Sequence, residues 1–242
     1  MDVLDDFSLW MRKNSSLSDS SVQKYKGGLR TVSREMQELG IISKPLADMN
    51  LLELDIAIFN ILNNDNFLKK NKTGNNMYSN SLKQFRYFRL DASENYDVQS
   101  EILREINDSS LGKTEKDALV KARVGQGEYR NHLIEKYDGR CLMTGIDNKK
   151  LLIASHIKPW SVCNNEERLD INNGLLLCAN MDRLFDSGLT TFKSNGALLI
   201  SSFVGKENEN RLHIKPKEVY DLKSTSKMQK YLEYHRDTLF VK

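Results

Sequence analysis

Cysteine is scarce in this 242-residue chain, which has only Cys141, Cys163 and Cys178. An odd and sparse set cannot form a disulfide framework, so free thiols or former metal ligands are expected. Long apolar runs are also missing. Nothing approaches the roughly 18 consecutive apolar residues that a bilayer span requires. The acidic start Met1-Asp2-Val3-Leu4-Asp5-Asp6 lacks the positive charge and apolar stretch of a secretory signal. Membrane proteins therefore drop out, and a cytoplasmic protein is expected. Neither charge sign is in large excess: 36 Lys and Arg against 33 Asp and Glu leave a net +3, which permits an anionic partner without demanding one. What remains, 39% hydrophobic and 29% charged residues, is an ordinary globular balance in a chain long enough to bury a core.

The first ninety residues carry helical periodicity. Val3, Leu4, Phe7, Trp10 and Met11 share one face, and Val22, Tyr25, Leu29, Val32, Met36 and Leu39 alternate steps of three and four until Gly40. The Ser18-Asp19-Ser20 cluster supplies N-cap candidates, and Asn50 is placed to cap a third helix bearing Leu51, Leu54, Ile58 and Leu62. Residues 63–78, rich in Asn and Lys, read as an exposed loop, followed by a helix holding Leu82, Phe85 and Phe88. From Asn66 through Leu90 there is no acid, while Lys69, Lys70, Lys72, Lys83, Arg86 and Arg89 alternate with aromatics and amides. Such a stretch suits a phosphate backbone, where cations release counterions and amides reach base edges; the competing reading is a solvated loop beside a helix with core aromatics.

Highly charged residues 91–122 suggest a connecting helix through Val98, Ile102, Leu103 and Ile106, then a break at Ser109-Ser110-Leu111-Gly112. The expected layout is a helical, DNA-holding domain over 1–95, a connector over 96–122 and a second domain over 123–242. In that second half the period changes. A short helix with Tyr129, Leu133, Ile134 and Tyr137 ends at Gly139, and two runs of strand length follow, Leu151–Ala154 and Gly174–Cys178. A hairpin is indicated where Thr190–Lys193 and Ala197–Ile200 flank Ser194-Asn195-Gly196. A last helix is expected over about 225–238, and the fold class is α+β.

The segment from Cys141 to Gly188 carries the chemistry. Ser155-His156-Ile157-Lys158-Pro159 ends one strand, Asn173 opens the next, Cys178 lies five residues beyond Asn173, and Asp182 four beyond Cys178. This order resembles the HNH endonuclease family, whose ββα-metal unit places a His after the first strand, an Asn before the second and a metal ligand in the following helix. The resemblance covers roughly residues 120–240 and includes Arg123-Val124-Gly125-Gln126-Gly127, Tyr129-Arg130, Gly139-Arg140-Cys141 and Thr144-Gly145. Three features depart from the common pattern. Asp182 stands where many members have His, Ser155 where many have a metal-binding Asp, and the two C-x-x-C pairs of the zinc-ribbon members retain one thiol each, Cys141 with Thr144 and Cys178 with Met181. Two thiolates do not close a tetrahedral site, so no structural zinc is predicted, and the match is nearest to restriction-type members.

The resemblance implies a metal-dependent DNA endonuclease that leaves 5′-phosphate and 3′-hydroxyl ends. His156 would be the general base and Asn173 the residue that pins its loop. Asp182, with Asp186 beside it, would hold one divalent cation, Mg²⁺ or Mn²⁺, which oxygen ligands suit. Arg183, Lys158 and Arg168 are candidate phosphate contacts, and Lys69, Lys70, Lys72 and Arg86 the expected contacts of the helical half with double-stranded DNA. A palindromic site would match a two-fold homodimer. Taken singly each feature has a plainer explanation: a strand-end His is ordinarily a hydrogen-bonded structural residue, an Asn before Gly a turn, an Asp in a short helix a cap. It is the joint order and spacing that favour the nuclease. The rival expectation is a DNA-binding or assembly protein on a degenerate, inactive HNH fold, motivated by Ser155 and the missing third His. His235, on the predicted last helix, is expected to pack, and Asp170 is given no chemistry.

Overall fold

The computed structural model describes residues 2–15, 17–92 and 126–242. The expected connecting helix and most of the Arg123–Gly127 motif lie outside the described residues. The chain divides into two compact units, one within residues 1–96 and the other within 97–240. No helix among the described residues is long and apolar enough to cross a membrane.

Among the described residues, five α-helices build the first unit: α1 (Val3–Asn14), α2 (Asp19–Glu38), α3 (Leu51–Leu62), α4 (Asp65–Thr73) and α5 (Met77–Asp91). Local chemistry explains their ends. Ser18 caps α2 by accepting from the Ser21 N–H, and Asn50 with Glu53 forms a reciprocal capping box on α3. The apolar stripes then meet in one core, where Phe7 and Phe85 pack edge to face at 5.3 Å among Met11, Leu29, Leu54 and Phe67.

The expected loop over 63–78 is instead largely helix. Asn64 caps α4 by accepting from the Asn66 and Phe67 N–H groups, and Phe67 and Asn71, four residues apart, both face inward. Asn71 Oδ1 accepts from Ser79 N, while its Nδ2 donates to Ser79 Oγ, each at 3.0 Å. One aromatic and one doubly bonded amide thus hold a segment whose Asn and Lys content argues for coil. The turn into α5 comes only at Gly74-Asn75-Asn76, where both asparagines adopt left-handed backbone (φ 51° and 60°).

The second unit is α+β. Its described part begins with α6 (Gln126–Lys136), which ends before Gly139 at φ 68°. Strands β1 (Leu152–His156) and β2 (Gly174–Cys178) pair antiparallel, Leu152 opposite Cys178 and His156 opposite Gly174, and α7 (Ala179–Asp186) follows β2 directly. Helices α6 and α7 both pack on the hairpin. All five β2 residues are buried, as a strand with both faces covered should be. A second hairpin, β3 (Thr190–Phe192) with β4 (Leu198–Ile200), lies where the Ser194-Asn195-Gly196 signal puts it. A short α8 (Lys206–Arg211) and then α9 (Ser226–Tyr234) complete the unit, α9 widening into a π-turn over His235–Leu239. His235 is buried there, bonded to Thr191 Oγ1 and the Phe185 carbonyl and stacked on Phe185 at 3.9 Å.

Candidate active site

His156 is the last residue of β1, and from it the chain leaves the sheet in a polar loop that returns at Asn173. The imidazole is tied on two sides. Its Nε2 lies 2.9 Å from the Arg168 carbonyl, and its ring stacks on Tyr129 of α6 at 4.6 Å and 12°. A carbonyl can only accept, so Nε2 carries the proton and Nδ1 keeps the lone pair. Burial holds the imidazole below the ordinary histidine pKa; the Arg168 carbonyl works the other way and the Arg168 charge adds to the lowering. The ring is therefore neutral at pH 7, with one nitrogen open to accept a proton.

Asn173 is fully buried and knits the loop together. Its Oδ1 accepts from Lys158 N at 2.8 Å, and its Nδ2 faces Glu167 O at 3.1 Å, Cys163 Sγ at 3.2 Å and Lys158 O at 3.4 Å. Its own carbonyl accepts from Ile157 N and from the Tyr129 hydroxyl. The Asn173 side chain thus ties Lys158 to the Glu167 carbonyl beside Arg168, and its backbone carbonyl holds Ile157, the residue after His156. Asp170 adds a brace, its carboxylate accepting from Asn172, Tyr231 Oη and Lys227, which ties the loop to α9.

Asp182 sits in the first turn of α7, half-buried. Burial raises its pKa, and the Ser155 hydroxyl and the Arg183 charge oppose that rise. The Ser155 Oγ is itself buried and completes no hydrogen bond of good geometry among the described residues. It borders the Asp182 carboxylate. Ser155 and His156 are consecutive strand residues, so their side chains leave opposite faces, Ser155 towards α7 and His156 towards α6. The structure therefore does not bring the expected base and the expected metal carboxylate together: His156 and Asp182 share no hydrogen bond or ion pair and border opposite faces of the hairpin. Asp186 lies one helical turn beyond Asp182 and is exposed.

The donor set near Asp182 is a desolvated carboxylate and an unsatisfied hydroxyl, and no group of three His, Cys, Asp or Glu side chains gathers among the described residues. A hard cation such as Mg²⁺ fits this set, because it takes one or two protein carboxylates and fills its shell with water and substrate phosphate oxygens. Cys141 and Cys178 are neighbours in the core: Cys178 N donates to Cys141 Sγ at 3.2 Å, and Thr144 Oγ1 approaches Cys178 Sγ at 3.6 Å.

Residues 141–193, which span the β1–β2–α7 unit and β3, match the family model described as HNH endonuclease. The chain carries an HNH endonuclease-family domain. No curated protein matches the chain. The HNH family implies a nucleic acid substrate and hydrolysis of its backbone.

Within the HNH segment the cations expected at phosphate divide sharply. Arg183 is exposed on α7 beside Asp182. Lys158 and Arg168 are not surface clamps: both are buried, at 8% and 9% exposure. Lys158 Nζ bonds both Glu167 carboxylate oxygens at 2.8 and 2.6 Å, while Arg168 lies 3.9 Å over the Trp160 ring and donates to Trp160 O. Their charge is consumed in holding the loop. In the helical unit, Lys69 and Lys72 are exposed on α4, whereas Lys70 pairs with Glu35 and lies over the Tyr78 ring. Arg86, expected at DNA, is 6% exposed and bidentate to Asp55 (Nε–Oδ1 2.6 Å, Nη2–Oδ2 3.1 Å). It belongs to the core, because a guanidinium on the buried face of α5 has to bring its carboxylate with it.

Tyr129, Glu167 and the Asp170 brace escape a reading of the sequence. Tyr129 occupies a core position of a helical stripe and is indistinguishable there from a packing aromatic. The other two acids are ordinary loop residues until their partners are seen.

Proposed function

We propose that the chain is a divalent-metal-dependent DNA endonuclease of the restriction type, cutting phosphodiesters to 5′-phosphate and 3′-hydroxyl ends. The observation that carries this reading is the pairing of a neutral, tautomer-fixed His156 with a loop locked by Asn173. Phosphodiester hydrolysis needs a water deprotonated near neutral pH and positive charge where anion accumulates. His156 Nδ1 takes the proton of the attacking water, and the Arg168 carbonyl stabilises the imidazolium that results. Asn173 holds the backbone of Ile157 and Lys158 and the Glu167 carbonyl, next to Arg168, in place throughout. Asp182 would hold Mg²⁺ or Mn²⁺, with Asp186 as the neighbouring carboxylate, and the ion would supply positive charge towards a substrate phosphate. Because Ser155 and His156 leave opposite faces of the hairpin, the scissile phosphate has to lie at the end of β1, where both His156 and the ion can reach it. Arg183 contacts a flanking phosphate. Lys69 and Lys72 carry the helical domain's grip on duplex DNA, and a homodimer would match a palindromic target.

Ser155 in place of a carboxylate, with Asp182 as the one acid in the first turn of α7, motivates a second reading: a DNA-binding protein on an inactive HNH fold. Incubating wild-type protein and His156→Ala with supercoiled plasmid in Mg²⁺ and in Mn²⁺ separates the two. Linear or relaxed product from wild type alone is expected. Binding without cleavage in either metal would favour the second reading, and equal cleavage by the mutant would remove His156 as the base. Sequencing the product ends then distinguishes double-strand cutting from nicking.

A further inference from the structure

The Nε2–H···O=C bond to Arg168 fixes one nitrogen of His156 but leaves the ring able to swing about that bond. The Nδ1 lone pair lies in the ring plane, so the plane decides where the base points. Tyr129 supplies the missing constraint. Its ring lies parallel to the imidazole, at 4.6 Å and 12°, and its hydroxyl donates to Asn173 O at 3.0 Å. The aromatic is thus anchored at one end by α6 and at the other by the residue that locks the loop. Burial keeps the phenol protonated, and so a donor. The sequence makes room for this arrangement at one position. Gly174 stands opposite His156 in the β ladder, and a Cβ there would come within 2.3 Å of Tyr129 Oη and 2.7 Å of Leu133. Any larger residue would push the Tyr129 hydroxyl and the Leu133 side chain out of the places they hold at the hairpin end.

We propose that Tyr129 is a positioning residue for His156, its ring fixing the imidazole plane and hence the direction of Nδ1, and that Gly174 is required to admit it. This deepens the nuclease reading and rests on His156 being the base. Misdirecting a base by about an ångström can cost up to a hundredfold in rate without weakening substrate binding.

The experiment combines kinetics with NMR on the full chain. Tyr129→Phe keeps the ring and should retain most of wild-type kcat. Tyr129→Leu removes it and should lower kcat about tenfold or more, with KM for DNA little changed. In wild type and Tyr129→Phe the carbon-bound protons of His156 should be shifted upfield by the facing ring, and in Tyr129→Leu that shift should vanish. Equal kcat losses in Tyr129→Phe and Tyr129→Leu would overturn the proposal, as would wild-type His156 protons without an upfield shift. The wild-type spectrum decides the stacking even if the leucine variant fails to fold. If wild type shows the shift but cuts no DNA, it is the nuclease reading that fails, and the catalytic role of Tyr129 with it, while the ring contact stands.

Discussion

The Asn173 side chain holds the backbone of Lys158 from both sides, Oδ1 accepting from Lys158 N at 2.8 Å and Nδ2 facing Lys158 O at 3.4 Å. The two residues are fifteen apart, so one amide closes the loop whose ends carry His156 and β2. Asn173→Ala would strand the buried Lys158 N–H and the Glu167 carbonyl. Since each unsatisfied buried group costs about 1–3 kcal/mol, a loss of roughly 2–4 kcal/mol in urea unfolding is expected. An unchanged midpoint would show that the loop holds itself.

Cleavage should depend on pH through His156. Because burial lowers its pKa from 6.5, the neutral, proton-accepting form persists below that value, and the acid limb of kcat/KM should fall below pH 6.5. Stability follows the same sign. A pKa depressed in the folded state contributes stability above the unfolded value, and that contribution is lost as pH falls towards the folded one. A wild-type limb centred well above pH 7 would contradict the assignment.

Asp182→Asn separates function from folding. Desolvation is the largest influence on this carboxylate and outweighs the Ser155 hydroxyl and the Arg183 charge, so replacing its charge should leave stability without metal unchanged or slightly raised. Adding Mg²⁺ or Mn²⁺ should raise the melting temperature of wild type and not of the variant, and the variant should not cleave plasmid. Equal stabilisation of both by the ion would place the cation elsewhere.

Arg86 and Asp55 form a buried ion pair, with side chains 7% and 10% exposed. Removing one partner leaves the other charge unpaired in the core, so Asp55→Ala should cost about 3–5 kcal/mol. The double change Asp55→Leu with Arg86→Met should recover much of that. Recovery of stability together with unaltered DNA affinity would agree with a purely structural Arg86.

Lys69 and Lys72 test the helical unit as a DNA surface. If both meet phosphates, Lys69→Gln with Lys72→Gln should reduce the slope of log K against log salt by roughly 1.8, at about 0.9 per duplex phosphate contact. Binding titrations from low to high salt measure this directly. A slope equal to that of wild type would take α4 out of the interface.

Much of the helical unit was legible because the forces that form it are local. The three-and-four spacing of α2 and the Asn50 cap on α3 depend on neighbours within a few residues, as does the Asn195-Gly196 hairpin turn of the second unit; the Glu53 half of the capping box was seen only in the structure. Helix α4 was not legible, since its composition argues for coil and the inward placement of Phe67 and Asn71, with Asn71 bonded to Ser79 of α5, holds it together with the Asn64 cap. In the HNH unit the linear order of His156, Asn173 and Asp182 was readable, as were the two strands and the helix around which they stand. The fate of the cations was decided by tertiary structure alone. Sequence specifies that Arg86, Lys158 and Arg168 are charged, but whether a charge faces solvent depends on desolvation by distant partners. Asp55 comes from 31 residues away to bury Arg86, and Tyr129 reaches across 44 to the Asn173 carbonyl. Local periodicity encodes the elements, while burial and pairing are properties of the packed whole.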